Sequence, residues 1–265
     1  MSIMRARRKG TSAGPLHRAL QRGDRRAVKA ELDAGADVHA PGADGITPLM
    51  TAVRTCPLDV VELLLRHGAR VTEVDRDGRT PLVHAFQEDP VRPRVVQTLL
   101  AAGAPPNAGA PLPLLLAVRR GSVELAQALL TAGARVSDPA IMRYAFVKTT
   151  SVELMLALRS AGGDVNTRDD SGATLLLHAV RMKVVTARLD LLLACGADVD
   201  AQDHDGMSAL MIAAAGGQVA LVRRLLEGRA SLDLRDKAGR TAYAHALAAG
   251  QRGAVTLLEQ AGAGP

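Results

Sequence analysis

One short motif, Leu-Leu followed within a few residues by Gly-Ala, returns along almost the whole of this 265-residue chain. It reads LLLRHGA at 63–69, LLAAGA at 99–104, LLTAGA at 129–134 and LLLACGA at 191–197, with weaker copies ending at Gly35, Gly162 and Gly262. One copy, LLEGRA, carries Arg229 where glycine is expected. The anchors at 35, 68, 103, 133, 162, 196, 229 and 262 are spaced by 33, 35, 30, 29, 34, 33 and 33 residues. A period of that length is the signature of a solenoid, in which each unit buries its apolar face only against its neighbours.

A second motif lies about 21 residues before most anchors: Pro15-Leu16-His17, Thr47-Pro48-Leu49, Thr80-Pro81-Leu82, Thr174-Leu175-Leu176, Ser208-Ala209-Leu210 and Thr241-Ala242-Tyr243. Thr47 and Thr80 are placed to cap a helix start with their hydroxyls, and Pro48 and Pro81 occupy a first turn that loses no donor. A second helix follows, with apolar spacing such as Val60, Val61, Leu63 and Leu64, or Val219, Leu221, Val222 and Leu225. The closing glycine supplies a left-handed cap that a residue with a Cβ resists, so Arg229 predicts local strain or a shifted cap.

DGITPLMTAV at 44–53 and DGRTPLVHAF at 77–86 give the chain its resemblance to the ankyrin-repeat family, whose units run about 33 residues from a Thr-Pro-Leu-His-x-Ala start. The resemblance covers 14–265 and implies an all-α ankyrin-repeat solenoid: eight stacked helix-turn-helix units with projecting β-turn fingers, the first and last as caps. EVDRDGR (73–79) and AQDHDGM (201–207) read as fingers, whereas the fourth and fifth units, shortened around Pro105, Pro106, Pro111 and Pro139, are expected to lack regular ones. QEDPVRPR at 87–94 predicts a bulged link between the helices of the third unit.

Composition excludes several function classes. No apolar run approaches the roughly 20 residues of a membrane span, and no apolar stretch of signal-peptide length follows the charged N-terminus, so a cytoplasmic location is expected. The net charge of +6 is uneven: residues 1–30 carry +8 and the rest −2. Residues 1–13, with RARRK at 5–9, are expected to form a basic disordered tail. Nucleic acid is a minor reading for that tail, since stacking aromatics and a groove-reading element are missing. Arginine outnumbers lysine 28 to 5, which fits a GC-rich genome and a bacterial source. Cys56 and Cys195 stand four units apart in no CxxC pair and read as reduced structural residues.

Reactive constellations are equally sparse. His84, His178 and His245 share one inner-helix slot and His17 sits one place earlier, but their units are not adjacent, so shared metal ligation is not expected. Asp203-His204-Asp205 falls in a finger, where aspartate serves local backbone hydrogen bonds. Neither a nucleophile with a base nor a glycine-rich loop after a strand stands out, so no enzyme, cofactor or small-molecule substrate is expected.

The resemblance implies protein binding through a concave groove and finger tips. The last inner-helix positions would line that groove, giving Arg54, Gln87, Arg119, Arg120, Lys148 and Arg181 as candidate contacts. Fingers add Arg76, Arg79, Asp205, Met207 and Arg240, and Met50, Met182, Met207, Met211 and Ile212 offer an apolar zone, with Met211 read equally as core. The basic stripe would steer a partner with an acidic surface; a merely solvated face is the alternative. A second functional class is an inhibitor or secreted effector that blocks one specific enzyme.

Overall fold

The structure is a computed structural model that describes residues 14–88 and 90–264; the expected N-terminal tail lies outside them. The described chain forms two compact halves, one ending at Arg135 and one beginning at Val136.

The N-terminal half holds four helix pairs: α1 Pro15–Gln21 with α2 Arg25–Asp33, α3 Pro48–Thr55 with α4 Leu58–Arg66, α5 Pro81–His84 with α6 Pro93–Ala101, and α7 Pro113–Arg119 with α8 Val123–Thr131. The C-terminal half holds four more: α9 Ala140–Lys148 with α10 Val152–Ser160, α11 Leu175–Arg181 with α12 Thr186–Ala194, α13 Ala209–Ala215 with α14 Val219–Glu227, and α15 Ala242–Ala248 with α16 Arg252–Gln260. Inner helices stack on inner ones, α1 on α3 on α5 and α11 on α13 on α15; outer helices stack likewise. Strands are absent among the described residues, apart from one isolated antiparallel bridge between Gln202 and Ser208.

Helix starts follow the capping chemistry read from the sequence. The Thr47 and Thr80 hydroxyls each accept the N–H three residues on, at 3.3 Å, and Ser208 and Thr241 repeat the bond. Met50 and Met211 complete a reciprocal box, their sulfurs accepting the N–H of Thr47 and Ser208 at 3.4 and 3.5 Å. Both methionines are fully buried, so Met50 leaves the apolar contact zone expected of it and Met211 takes the core place that was its alternative. Met182 remains largely exposed, while Met207 and Ile212 are half-buried.

Each outer helix ends in a Schellman cap. The N–H after the anchor returns to the carbonyl five residues back, as in Ala69 to Leu64 (3.0 Å), Ala104 to Leu99 (2.9 Å) and Ala197 to Leu192 (2.9 Å). The anchor glycines have φ between 80° and 99°. Arg229 keeps the same cap at φ 63°, with Ala230 N–H on Leu225 O at 3.0 Å. The cap is therefore not shifted, and an exposed arginine bears a backbone conformation that its Cβ disfavours. From the second repeat to the eighth, the leucine four residues before the anchor is fully buried. In the first repeat that slot is the half-buried Glu31.

The third repeat departs as its prolines require. Its inner helix shortens to four residues, Pro81–His84, and an irregular link leads to α6. Arg92 in that link reaches back to the carbonyls of Val53 and Cys56 at the end of α3. Arg120 does the same to Phe86 O at 2.6 Å, and Arg188 to Phe146 O at 2.6 Å. These guanidinium groups satisfy orphan helix carbonyls of the preceding repeat, where the helix dipole favours a cation.

Candidate functional site

The fingers of the third, sixth, seventh and eighth repeats are each built on one aspartate. Asp75 accepts the N–H of Asp77 and of Arg79 on one oxygen, both at 2.9 Å, and the Nε2–H of His84 on the other at 2.8 Å. Asp169 and Asp236 repeat the arrangement with His178 (2.6 Å) and His245 (2.8 Å). In the seventh repeat the histidine slot holds Ile212, and the second oxygen of Asp203 takes Arg181 from the preceding repeat. The inner-helix histidines thus tie fingers to helices across nine residues, and Asp203 has both oxygens engaged by N–H groups and a guanidinium. His17 plays a related part, its Nε2 lying 3.1 Å from Ile46 O of the next finger.

These bonds favour the charged carboxylates. Burial opposes ionisation of Asp75, but the Arg79 N–H, the His84 ring and the Asp77 N–H outweigh it and lower its pKa. The Ser171 hydroxyl, with His178 and the Ala173 and Ser171 N–H groups, holds Asp169 well below the usual carboxylate range. The Arg240 N–H, its guanidinium and His245 do the same for Asp236. Burial instead pushes the Cys56 and Cys195 thiols up; Cys56 Sγ lies 3.2 Å from Leu20 O. Neither thiol is poised as a nucleophile.

Successive fingers are joined by a backbone rung. Arg76 N–H donates to Asp44 O at 3.0 Å, His204 N–H to Ser171 O at 2.9 Å, and Lys237 N–H to Asp205 O at 3.0 Å. The shortened fourth finger keeps one such rung, Ala110 N–H to Gly78 O at 3.3 Å, although its Asp-x-x-Gly turn is gone. The fifth repeat runs from Val136 into α9 without a finger.

The sequence-selected residues divide by what holds them. Arg54 pairs with Glu88 at 3.1 Å, Arg76 with Asp44 at 3.0 Å, Arg79 with Asp77 at 3.0 Å and Arg240 with Asp236 at 2.9 Å. Arg181 is bound to Asp203 and Arg120 to Phe86 O. Gln87 Oε1 lies 2.9 Å from His84 Nδ1; Gln87, Arg119, Lys148 and Asp205 are exposed, and Met207 is half-buried. Within the N-terminal half Arg54, Gln87, Arg119 and Arg120 all lie at or just beyond inner-helix ends, as do Lys148 and Arg181 within the C-terminal half. Residue type alone did not reveal these pairings. A detectable signal existed, since Arg54–Glu88, Arg25–Asp59 and Arg224–Asp190 each join opposite charges one repeat apart.

The described residues contain no group of three side chains able to hold a metal ion, and no helix long and apolar enough to cross a membrane.

Comparison with known proteins places this architecture. The family model described as ankyrin repeats (3 copies) matches residues 16–110 and 185–265. The human transient receptor potential cation channel subfamily A member 1 is 27% identical over 247 residues, covering 85% of this chain and 22% of that protein. The E3 ubiquitin-protein ligase KEG of Arabidopsis thaliana is 30% identical over 268 residues, covering 93% of this chain and 16% of that protein. The chain thus spans less than a quarter of the length of either relative. Among solved structures, the crystal structure of the ankyrin repeat domain of Bcl-3 superposes with a TM-score of 0.51 at 26% identity, covering 94% of this chain and 99% of that one. By its repeat period, its capped helix pairs and these matches, the chain belongs to the ankyrin-repeat family.

Proposed function

We propose that this chain is a non-catalytic protein-interaction module, acting in the cytoplasm and presenting inner-helix ends and fingers to a partner with an acidic surface. The observation that carries the reading is where the cations sit. Arg54, Arg119 and Arg120 in one half, and Lys148 and Arg181 in the other, occupy exposed or half-exposed ends of helices whose opposite faces are buried. Arg119 and Lys148 are both exposed and stand one in each half, so together they probe both halves of the array. The two relatives support the reading from another side. A cation channel subunit and a ubiquitin ligase carry similar arrays, so the array itself serves something other than one chemistry.

The test compares wild type with an Arg119→Glu/Lys148→Glu double variant in affinity capture from nuclease-treated source lysate. Circular dichroism confirms folding, and captured proteins are read by mass spectrometry. A protein retained by wild type, released by moderate salt and lost from the variant is the expected result. Identical capture by both forms would refute the basic helix ends as the contact.

A further inference from the structure

The finger of the sixth repeat has no finger before it, although the whole of the preceding repeat is described. In the third, seventh and eighth repeats, the residue after the finger aspartate donates its N–H to the preceding finger: Arg76, His204 and Lys237. The equivalent donor of the sixth finger is Asp170, and no backbone acceptor meets its N–H among the described residues. The stretch that would supply one, in the fifth repeat, passes into α9 through Ser137, Asp138 and Pro139.

This gap uncovers groups that the other repeats bury. The side chains of His84 and Asp75 are 1% and 4% exposed, and those of His245 and Asp236 10% and 3%. Those of His178 and Asp169 are 40% and 33% exposed. At the uncovered pair lies a cavity of 270 Å³, with Ala140, Met142, Val165 and Leu175 as its apolar wall and Arg143, Arg168, Asp138, Asp164 and Asp169 as its charged lining. The Thr174 hydroxyl, next to it at the start of α11, is buried and lacks both the capping bond made by Thr47, Thr80 and Thr241 and any other partner among the described residues. Arg143 makes no ion pair within 4 Å among the described residues, and its guanidinium lies 6.0 Å from the Tyr144 ring.

The geometry points to this gap as a socket for a turn of a partner protein's chain, whose backbone carbonyl takes the Asp170 N–H and whose side chains enter the cavity. This rests on the interaction reading and assigns it a place and a complementary sequence. The occupant is peptide because the vacancy is that of one finger in a stack of fingers, open to a backbone rung of the kind used in β-augmentation. The cavity is also smaller than the roughly 300–1,000 Å³ of small-molecule sites, and it suits one or two side chains. Met142, Val165 and Leu175 call for an apolar residue; Asp138, Asp164 and Asp169 already take donors of their own from Ala140, Asn166, Ala173 and His178, which leaves Arg143 to take an adjacent aspartate or glutamate.

The test uses the full chain and a phage-displayed library of disulfide-closed heptapeptide loops. Selected loops should pair an apolar residue with an acid. Their affinity should fall at least tenfold on Ala140→Trp, which fills the cavity, and on Arg143→Glu, with both variants checked for an unchanged thermal midpoint. Amide hydrogen exchange supplies an arm free of mutation: Asp170 should exchange faster than His204 and Lys237 in the free protein and slow when a loop is bound. Selection of no loop, indifference of the loops to both variants, or prior protection of Asp170 equal to that of Lys237 would each overturn the socket. Loops insensitive to Ala140→Trp but lost on Lys148→Glu would also overturn it, while leaving protein binding by the helix ends standing.

Discussion

Arg229 offers a clean measurement of what the repeat's glycine contributes. It stands at φ 63° in a position where the other seven anchors are glycine, and its side chain is exposed. Relief of left-handed strain on Arg229→Gly is worth about 1–2 kcal/mol. Glycine's extra freedom in the unfolded chain takes back roughly 0.5–1 kcal/mol. The net expectation is a stabilisation of about 0.5–1 kcal/mol, or ~1–4 °C in Tm for a chain of this size. The reverse substitution belongs in the same experiment. Gly68 has φ 85°, with open space where a methyl group would stand, so Gly68→Ala isolates backbone strain without a clash and should lower stability by ~1 kcal/mol. Thermal and urea unfolding of the full chain, followed by circular dichroism, reads both. A neutral or destabilised Arg229→Gly protein alongside a destabilised Gly68→Ala protein would refute the strain argument and show that the arginine's own contacts outweigh it.

Three further outcomes follow from the packing and the finger bonds. Leu129→Ala, at a fully buried outer-helix position, should cost about 2–5 kcal/mol in urea unfolding; a cost below about 1 kcal/mol would contradict the stacked core. Arg92→Met should cost ~1–2 kcal/mol by orphaning the Val53 and Cys56 carbonyls, and a variant as stable as wild type would show that water replaces the guanidinium. Asp75, Asp169 and Asp236 have lowered pKa values in the folded state. Their stabilisation is therefore complete above the unfolded value of about 3.9 and is lost as pH falls through the lower folded values. The thermal midpoint should drop steeply below about pH 4, with a shallower drop for Asp236→Asn; equal slopes would remove that carboxylate from the linkage.

Features carried by neighbouring residues were legible in the sequence. The threonine caps, the anchor glycines and the irregular third repeat all follow from local backbone chemistry, and Thr47, Gly68 and Pro93 behave as their residue types require. What escaped it depends on the stack. Arg120 reads as a groove contact, and Arg92 and Arg188 carry no assignment, until the helix ends of the preceding repeat are placed beneath them. Met50 looked available for contact, and Met211 stood undecided between contact and core, because nothing local reveals that their sulfurs turn back to the caps. The missing fifth finger was visible as a short spacing, yet its effect on His178 and Asp169, some thirty residues downstream, needed the neighbouring repeat in three dimensions.

The ion pairs that join residues about one repeat apart also bear on how such a chain changes length. Arg25–Asp59, Arg54–Glu88 and Arg224–Asp190 each span 34 positions, so every partner in these pairs is drawn from the adjacent module. A recombination event that adds or removes one complete module leaves the remaining neighbours in register, and the new junction need only satisfy a few side chains. A cut inside a module instead strands half of two contacts at once. Gene-level growth and loss in whole modules is the path of least structural damage for this architecture.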